Sequence, residues 1–357
     1  MNPLGVRPVI NANATVTVLG GSLMPPPVLQ AMVDAAAQFV DLPELNQRVG
    51  ERLAELTHNE AAYVTSGAAA AITLAVAASI TTDSQAFPVA AEVVMFASQR
   101  NGYDYSARLL GVRVVEVGAS EEELRAAVGR GPACVLWFAG AHYARGALPI
   151  EDVVRVAGEY GVPVLVDAAA QIPPVASLWR FTRDVGADAV IVSGGKGLRG
   201  PQASGLVLGK GWLVDRVRAH TSPLHEIGRG MKVGKEELMG LLAAVEWTLQ
   251  QDEGELLAGY ERIVDNWIVG LQGLPGVLVE RGYPSEAGQP HSRAVLRLAR
   301  DRDTVVQLLF DGDPRISVGT YGLPDDAIAL NPQTLEPGEE KVVLDALVRL
   351  LSSGDGE

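Results

Sequence analysis

The chain of 357 residues is short of several residue types that define particular classes of protein. Its one cysteine, Cys134, cannot form an internal disulfide, and it lies in the apolar run 133–138, where we predict a buried strand. None of the five histidines has the spacing that is typical of a metal site. Basic residues are outnumbered, with 29 Lys and Arg against 43 Asp and Glu, and the formal charge of -14 gives a phosphate backbone no electrostatic attraction. These deficits exclude a disulfide scaffold and argue against a nucleic-acid partner.

We also expect no secretory leader, because residues 1–13 contain no basic region followed by an apolar stretch. We therefore expect a cytoplasmic protein. Residues 61–82 carry no charge and are numerous enough to cross a bilayer, but alanine rather than leucine dominates them. This composition favours a helix buried beside a sheet, so we expect no membrane association. Small polar residues and one glycine also interrupt the run, at Thr65, Ser66, Gly67, Thr73 and Ser79.

Short apolar, β-branched runs alternate with helical patterns over the first two thirds of the chain. Strands of this kind, separated by helices, predict an α/β fold whose mostly parallel sheet is covered on both faces. Ligands of such sheets bind beyond the carboxyl ends of the strands. The predicted strands are residues 92–97, 113–117, 133–138, 162–166, 189–192 and 205–208. The helix-like stretches between them are residues 102–110, 120–128, 150–160 and 178–185.

The pattern changes after two long helical stretches, at residues 238–250 and 254–271. Short strands are then predicted at 277–280, 293–298, 316–319 and 327–330, with helices at 302–310 and 336–351. This is a smaller α+β unit of roughly 100 residues, which is an ordinary domain size. Near the N-terminus, the turn-like residues 22–27 precede a helix that we predict to run to about Val40. The predicted organisation is an N-terminal segment (1–30), a large domain (31–250) and a small C-terminal domain (251–357).

Two local patterns occur where a phosphate and a ring could be bound. Thr65-Ser66-Gly67-Ala68 is a small turn at the start of the uncharged helix, where free backbone N–H groups and the helix dipole attract phosphate. An ordinary helix cap remains an alternative for this turn. The apolar run 164–166 ends at Asp167, at the expected carboxyl edge of the sheet. A carboxylate there can pair with a protonated pyridine nitrogen, although metal-binding aspartates at strand ends have the same appearance.

A third pattern is the glycine-rich turn 193–201, which contains Lys196. Its small neighbours allow an aldehyde to reach the lysine amine. Gly197 follows the lysine, so the spacing is not that of a phosphate-binding P-loop. Lys196 is the only lysine between Met1 and Gly209, which makes an incidental, solvated loop lysine a weaker alternative. Farther along, Arg315 could bind a carboxylate with two hydrogen bonds, or it could form a surface ion pair.

The three patterns together resemble the layout of fold-type I enzymes of pyridoxal 5'-phosphate (PLP). They are a small turn, a strand-end aspartate and a glycine-flanked lysine, and the aspartate and the lysine are 29 residues apart. Longer stretches of the chain resemble the bacterial selenocysteine synthase (seryl-tRNA selenium transferase) superfamily. Within it they look most similar to the D-glucosaminate-6-phosphate ammonia-lyase-like branch. The stretches that carry this resemblance are residues 11–15, 19–25, 60–68, 193–202, 228–232, 312–315 and 331–335.

The resemblance implies the fold of the fold-type I PLP transferases, with PLP carried on Lys196 and with Asp167 at the pyridine nitrogen. His142, which follows the apolar run 133–138, is expected to face the site. The implied cofactor-binding residues are Ser66, Gly67, Ala68, Gln99, Asp167, Gln171, Ser193 and Lys196. The candidate substrate-binding residues are Arg100, His142, Arg229 and Arg315.

The sequence departs from its relatives at two points. Related sequences generally read His-Arg where this chain has Gln99-Arg100, and a glutamine supplies neither an aromatic ring nor a titrating imidazole. The tRNA-dependent synthase has an additional N-terminal tRNA-binding domain, whereas we expect this sequence to start at the catalytic core. This difference and the acidic charge both argue against a tRNA substrate.

We therefore expect a PLP-dependent lyase that acts on a small hydroxylated amino acid or amino sugar acid. Lys196 would take the Cα proton, a β-hydroxyl would leave, and ammonia and a 2-keto acid would be released. An aldolase, a racemase and an aminotransferase begin in the same way and remain alternatives. A tRNA-dependent selenium transferase and a non-catalytic scaffold are further alternatives. A homodimer or a higher homo-oligomer is expected, because the active sites of this family lie at subunit interfaces.

Overall fold

The structure is a computed structural model that describes residues 4–83 and 90–352. The chain divides into two compact units. One unit is Met24–Gln251, and the other combines the described parts of Met1–Leu23 and Asp252–Glu357.

The elements of the described residues are as follows. The strands are β1 (Val9–Ala12), β2 (Ala61–Thr65), β3 (Glu92–Phe96), β4 (Arg113–Val117), β5 (Cys134–Phe138), β6 (Val164–Asp167), β7 (Ala189–Ser193), β8 (Gly205–Gly209), β9 (Val277–Gly282), β10 (Arg293–Leu298), β11 (Arg315–Val318) and β12 (Ala327–Leu330). The helices are α1 (Pro26–Ala36), α2 (Leu42–Leu56), α3 (Ala68–Ile80), α4 (Tyr105–Arg108), α5 (Glu121–Val128), α6 (Ala141–Ala144), α7 (Ile150–Glu159), α8 (Gly211–Ala219), α9 (Lys235–Leu249), α10 (Glu253–Leu271), α11 (Arg302–Asp311) and α12 (Glu339–Ser352).

A seven-stranded sheet in the order β2-β8-β7-β6-β5-β3-β4 organises the Met24–Gln251 unit. Neighbouring strands from β7 to β4 are parallel, whereas β8 runs antiparallel to both β7 and β2. Successive strand residues point to opposite faces, and both faces of the central strands are buried, so those strands are almost wholly apolar, whereas the edge strand β4 carries Arg113 and Glu116. In β6, for example, Val164 and Val166 belong to the core on the side of α2, α7 and α9, and Leu165 belongs to the core on the side of α3 and α8. The predicted mostly parallel α/β sheet is confirmed.

The uncharged run that begins at residue 61 contains a buried helix, as predicted, but it is not helical from its start. Residues Ala61–Thr65 form β2 at the edge of the sheet, and the helix α3 begins only at Ala68, after a turn. Nine consecutive residues of α3, 70–78, are buried, and the helix packs on β6, β7 and β8. No helix in the described ranges is both long and apolar enough to cross a membrane.

Two predicted helices have different bounds in the structure. The helix expected to reach about Val40 ends at Ala36, and a second helix starts at Leu42, because the carboxylate of Asp41 accepts a hydrogen bond from the amide of Glu44 and caps a new helix. The helix predicted at 102–110 is a 3-10 turn at Gly102–Asp104 followed by the four residues of α4.

The other unit contains an antiparallel sheet in the order β12-β10-β9 and the parallel pair β1-β11. Helices α10, α11 and α12 enclose its core, in which Trp267 is the largest fully buried side chain. The strands at 293–298 and 327–330 occur where the sequence predicted them. Strand β1 was not predicted. It is short, and only one of its four residues is fully buried, so it has no clear hydrophobic periodicity.

Candidate active site

Asp167 is the last residue of β6, in register with Phe138 of β5 and Ile191 of β7. Its side chain lies on the face of the sheet that α3 covers, because it follows Leu165 by two residues. Asp167 is only 7% exposed, and its Oδ1 accepts a hydrogen bond of 2.9 Å from the amide of Ala169. Burial raises the pKa of Asp167, while that hydrogen bond and the nearby charge of Lys196 act in the opposite direction. The buried acid is therefore close enough to the predicted cofactor lysine for the charge of Lys196 to lower its pKa.

Lys196 lies in the turn that joins β7 to β8. The turn is closed by backbone hydrogen bonds, from the amide of Arg199 to the carbonyl of Lys196 (2.9 Å) and from Gly200 to Gly194 (2.8 Å). It is also closely packed, because a Cβ atom on Gly197 would be 2.0 Å from the carbonyl oxygen of Ile172. The glycine-rich sequence thus fixes the backbone that carries the lysine.

The turn between β2 and α3 lies at the same edge of the sheet. The antiparallel strand β8 pairs its first residue, Gly205, with the last residues of β2 and β7, Thr65 and Ser193. Gly67 has a φ of 104°, and α3 starts there without a side-chain cap. A Cβ atom on Gly205 would be 2.7 Å from the amide nitrogen of Ala68, so only glycine allows this approach. An uncapped start of a 13-residue helix can bind phosphate, and the ordinary-cap alternative does not describe this turn.

Gln171 and Ser193, the other cofactor-binding candidates of this edge, are half-buried. The backbone N–H of Gln171 donates a hydrogen bond to the carbonyl of Ala168 (3.0 Å). Ser193 is the last residue of β7. Both residues therefore lie with Asp167 at the carboxyl ends of β6 and β7.

Gln99 is completely buried, and its amide is bonded to backbone groups. Its Oε1 accepts a hydrogen bond from the amide of Phe138 (2.9 Å), and its Nε2 donates to the carbonyls of Phe138 (3.1 Å) and Tyr143 (3.3 Å). These bonds join the end of β3 to the end of β5. The polar atoms of Gln99 are thus used within the protein, and the structure shows this side chain as a link between two strand ends.

The four predicted substrate-binding residues have different surroundings. The guanidinium of Arg100 forms ion pairs with Asp104 (2.5 Å) and Glu116, so its charge is already neutralised. His142 lies in α6, just after β5, and its ring is 3.9 Å from that of Tyr143. Arg229 is exposed and donates a hydrogen bond to the hydroxyl of Ser222 (3.1 Å).

The fourth residue, Arg315, begins β11 in the other unit. Its guanidinium lies over the ring of Phe310, with the Cζ atom 5.0 Å from the ring centroid. Its buried Nε atom has no hydrogen-bond partner among the described residues. This side chain retains donors that could bind an anion.

One residue near Lys196 was missed by the sequence analysis. Tyr103 lies in the 3-10 turn after β3, and its ring centroid is 6.0 Å from the Nζ atom of Lys196. The rule that ligands bind beyond the carboxyl ends of parallel strands could have identified it, because the segment that contains Tyr103 follows β3 directly.

The residues at this edge fit PLP. The Lys196 amine can form the bond to the aldehyde, the buried carboxylate of Asp167 can accept a hydrogen bond from a pyridinium nitrogen, and the uncapped start of α3 at Gly67 can bind the phosphate. The raised pKa of Asp167 supports this fit, because a buried carboxylate of this kind is stabilised by a cationic partner.

Comparisons with known proteins agree with the geometry. The model of the family "SelA: L-seryl-tRNA selenium transferase" matches residues 9–257. A 5'-C-glycyluridine monooxygenase-decarboxylase from a Streptomyces species is 35% identical over 378 residues, which cover 99% of this chain and 92% of that protein. D-glucosaminate-6-phosphate ammonia lyase from Salmonella typhimurium is 34% identical over 366 residues, which cover 96% and 95%. A solved structure of D-glucosaminate-6-phosphate ammonia-lyase has a TM-score of 0.82 and 31% identity, and the match covers 98% of this chain and 99% of that one.

Proposed function

This chain belongs to the L-seryl-tRNA selenium transferase family of fold-type I PLP enzymes, and we propose that it is a lyase with PLP bound to Lys196. The proposed substrate is a small 2-amino acid with a hydroxyl group on Cβ, such as a hydroxylated amino acid or an amino sugar acid. The observation that carries the proposal is the convergence of Lys196, the buried Asp167 and the uncapped start of α3 at one edge of the sheet.

PLP supplies an electron sink for the Cα–H bond of an amino acid when it is bound. Asp167 holds the proton on the pyridine nitrogen and so preserves the positive charge of that ring. The first backbone N–H groups of α3 bind the phosphate and fix the cofactor. The amine of Lys196 takes the proton from Cα as a general base and can deliver it to the departing β-hydroxyl, which leaves as water.

The overall reaction balances without an oxidant. The substrate loses the Cα proton and the β-hydroxyl as one molecule of water, and hydrolysis of the resulting enamine takes up one molecule of water. The products are ammonia and a 2-keto acid. Lys196 is not consumed in the reaction.

Arg229 and Arg315 are the candidates for the substrate carboxylate or for a phosphate on the substrate. Arg315 retains a buried Nε without a partner in the described residues, and the hydrogen bond that is resolved for Arg229 goes to a neutral hydroxyl. Arg100 fits this role less well, because two carboxylates already neutralise it. His142 remains a candidate through its position after β5.

The experiment incubates the purified, PLP-loaded protein with D-glucosaminate-6-phosphate, serine and threonine, followed by assays of ammonia and 2-keto acid. Equal amounts of the two products support the lyase. Aldehyde release would indicate an aldolase, loss of optical activity a racemase, and conversion of the cofactor to pyridoxamine an aminotransferase. A protein that binds PLP but is inactive on this panel would contradict the proposed substrate class.

A second candidate function is supported by the similarity to the Streptomyces protein, whose name states a monooxygenase-decarboxylase. That class of reaction consumes O2 and releases CO2, whereas the lyase does neither. Oxygen-electrode and CO2 measurements with 5'-C-glycyluridine and with the panel above therefore distinguish the two. Oxygen uptake coupled to decarboxylation would favour the second candidate.

We also expect the enzyme to be at least a homodimer. Sedimentation or light scattering of the PLP-loaded protein tests this. A monomer that retains full activity would contradict it.

A further inference from the structure

The segment that follows β3 is anchored by Gln99, three residues after the strand ends. Gln99 is 0% exposed, and its side chain bonds to the amide of Phe138 and to the carbonyls of Phe138 and Tyr143. A buried side chain with three hydrogen bonds has one orientation available. The backbone that leaves Gln99 therefore starts from a fixed position beside the end of β5.

The next residues are fixed by their own side chains. Asn101 donates a hydrogen bond from Nδ2 to the carbonyl of Gln99 (2.7 Å), and its Oδ1 accepts one from the amide of Tyr103 (2.7 Å). Asp104 is buried and is held by Arg100 at 2.5 Å and Arg108 at 2.7 Å. Both ends of the short turn Gly102–Asp104 are thus held in place.

Tyr103 projects from this rigid turn. It is 61% exposed, so most of its ring is open to contact. The ring centroid lies 6.0 Å from the Nζ atom of Lys196, which is the outer limit for attraction between an ammonium group and an aromatic face. An exposed ring on a fixed backbone, next to the reactive amine, can contact a molecule that binds there at little cost in conformational entropy.

We propose that Tyr103 is a further residue of the catalytic site, whose ring covers one side of the Lys196 amine and of the cofactor bound to it. Gln99 and Asn101 are its positioning residues. The inference rests on the proposed function, since it assumes that Lys196 carries PLP.

The ring rather than the hydroxyl is the active part of Tyr103 in this proposal. We therefore compare Tyr103→Phe, which keeps the ring, with Tyr103→Ala and Tyr103→Leu, which remove it. Leucine retains bulk, so it serves as the second test should the alanine variant not fold. Tyr105→Ala is the matched control, because Tyr105 is 56% exposed in the same segment and its ring faces the guanidinium of Arg108 at 5.2 Å.

Two measurements that do not depend on turnover report the result. Titration of the cofactor-free protein with PLP, followed by absorbance, gives the Kd. Stopped-flow absorbance gives the rate at which hydroxylamine strips the cofactor from the loaded protein. We expect Tyr103→Ala and Tyr103→Leu to weaken PLP binding about fivefold and to accelerate stripping by a similar factor. Tyr103→Phe and Tyr105→Ala should stay within roughly twofold of wild type on both measures.

Each other outcome overturns the proposal in a recognisable way. Unchanged Kd and stripping rates in Tyr103→Ala show that the ring does not cover the amine. Equal losses in Tyr103→Phe assign the effect to the hydroxyl, and equal losses in Tyr105→Ala assign it to loosening of the segment. If the wild-type protein itself binds no PLP, the proposed function fails and this inference fails with it. If the wild-type and Tyr105→Ala proteins bind PLP normally, an unexpected result in the Tyr103 variants contradicts only the role of Tyr103 and leaves the proposed function unaffected.

Discussion

Replacement of Gln99 by methionine tests whether this buried side chain joins two strands of the large unit. Methionine has a similar length and an apolar end, so the packing changes little while all three hydrogen bonds, of 2.9, 3.1 and 3.3 Å, are lost. The amide of Phe138 is then buried without its acceptor, at a cost of about 1–3 kcal/mol, and two carbonyls lose a donor. We expect a total loss of about 3 kcal/mol, which lowers Tm by roughly 6–12 °C in a unit of this size.

The assay is a thermal scan of the wild-type and Gln99→Met proteins, each measured without cofactor and with saturating PLP. Gln47→Met is the control, because Gln47 is exposed on α2 and bonds to the carboxylate of Glu51 (2.9 Å). The control should lie within about 0.5 kcal/mol of wild type. Gln99→Glu should be at least as damaging as Gln99→Met, because it brings a carboxylate into a dry site that faces two carbonyl oxygens. A Tm of Gln99→Met within experimental error of wild type would refute the reasoning.

Three further predictions concern buried titratable groups. Burial raises the pKa of Asp167, so the ionisation of this side chain costs folding free energy, and that cost grows as the pH rises through the pKa. Asp167→Asn should therefore raise the Tm of the cofactor-free protein at neutral and higher pH, as thermal scans would show. The same substitution should lower kcat more than about 100-fold in the ammonia assay. Burial also acts to raise the pKa of Asp104, but hydrogen bonds from Arg100 and Arg108 outweigh it and keep that pKa below its ordinary value. Arg100→Ala should therefore lower the free energy of unfolding by about 2 kcal/mol at neutral pH, as measured by urea unfolding. This loss should shrink as the pH falls through the pKa of folded Asp104. Burial raises the pKa of Cys134 to about 12, so the native protein should be inert to thiol reagents at pH 8 and should react stoichiometrically only after unfolding. Rapid reaction of the folded protein would contradict the burial of Cys134.

The hydrophobic pattern was enough to predict the sheet, because its central strands are buried on both faces and carry nearly uninterrupted apolar residues. The edge strand β2 was harder to predict, since Ala61–Thr65 merges without a charged residue into the alanine-rich helix α3. The break between α1 and α2 was missed for a different reason. It depends on the cap that Asp41 provides, a local hydrogen bond that does not alter the hydrophobic pattern.

Lys196 and Asp167 could be predicted because each follows an apolar strand, and strand ends of a parallel sheet meet at one edge. The partners of Arg100 could not, since Glu116 belongs to β4 and is brought near only by the pairing of β3 with β4. The same holds for Gln99, whose hydrogen bonds reach residues 39 and 44 positions farther along the chain. Tyr103 lies in the segment after β3, where the strand-end rule points, but the orientation of its ring depends on the side chains that hold the turn.

The most direct test of the account is to identify the residue that carries the cofactor. The PLP-loaded protein is reduced with borohydride, digested and mapped by mass spectrometry. The absorbance of the native protein at ~420 nm is also compared with that of the Lys196→Ala and Lys210→Ala variants. Lys210 is the control, because it forms an ion pair with Asp188 at 2.8 Å. We predict a reduced pyridoxyl group on Lys196 and loss of the absorbance in Lys196→Ala but not in Lys210→Ala. A modified lysine elsewhere, or an absorbance that survives the Lys196→Ala substitution, would contradict the account.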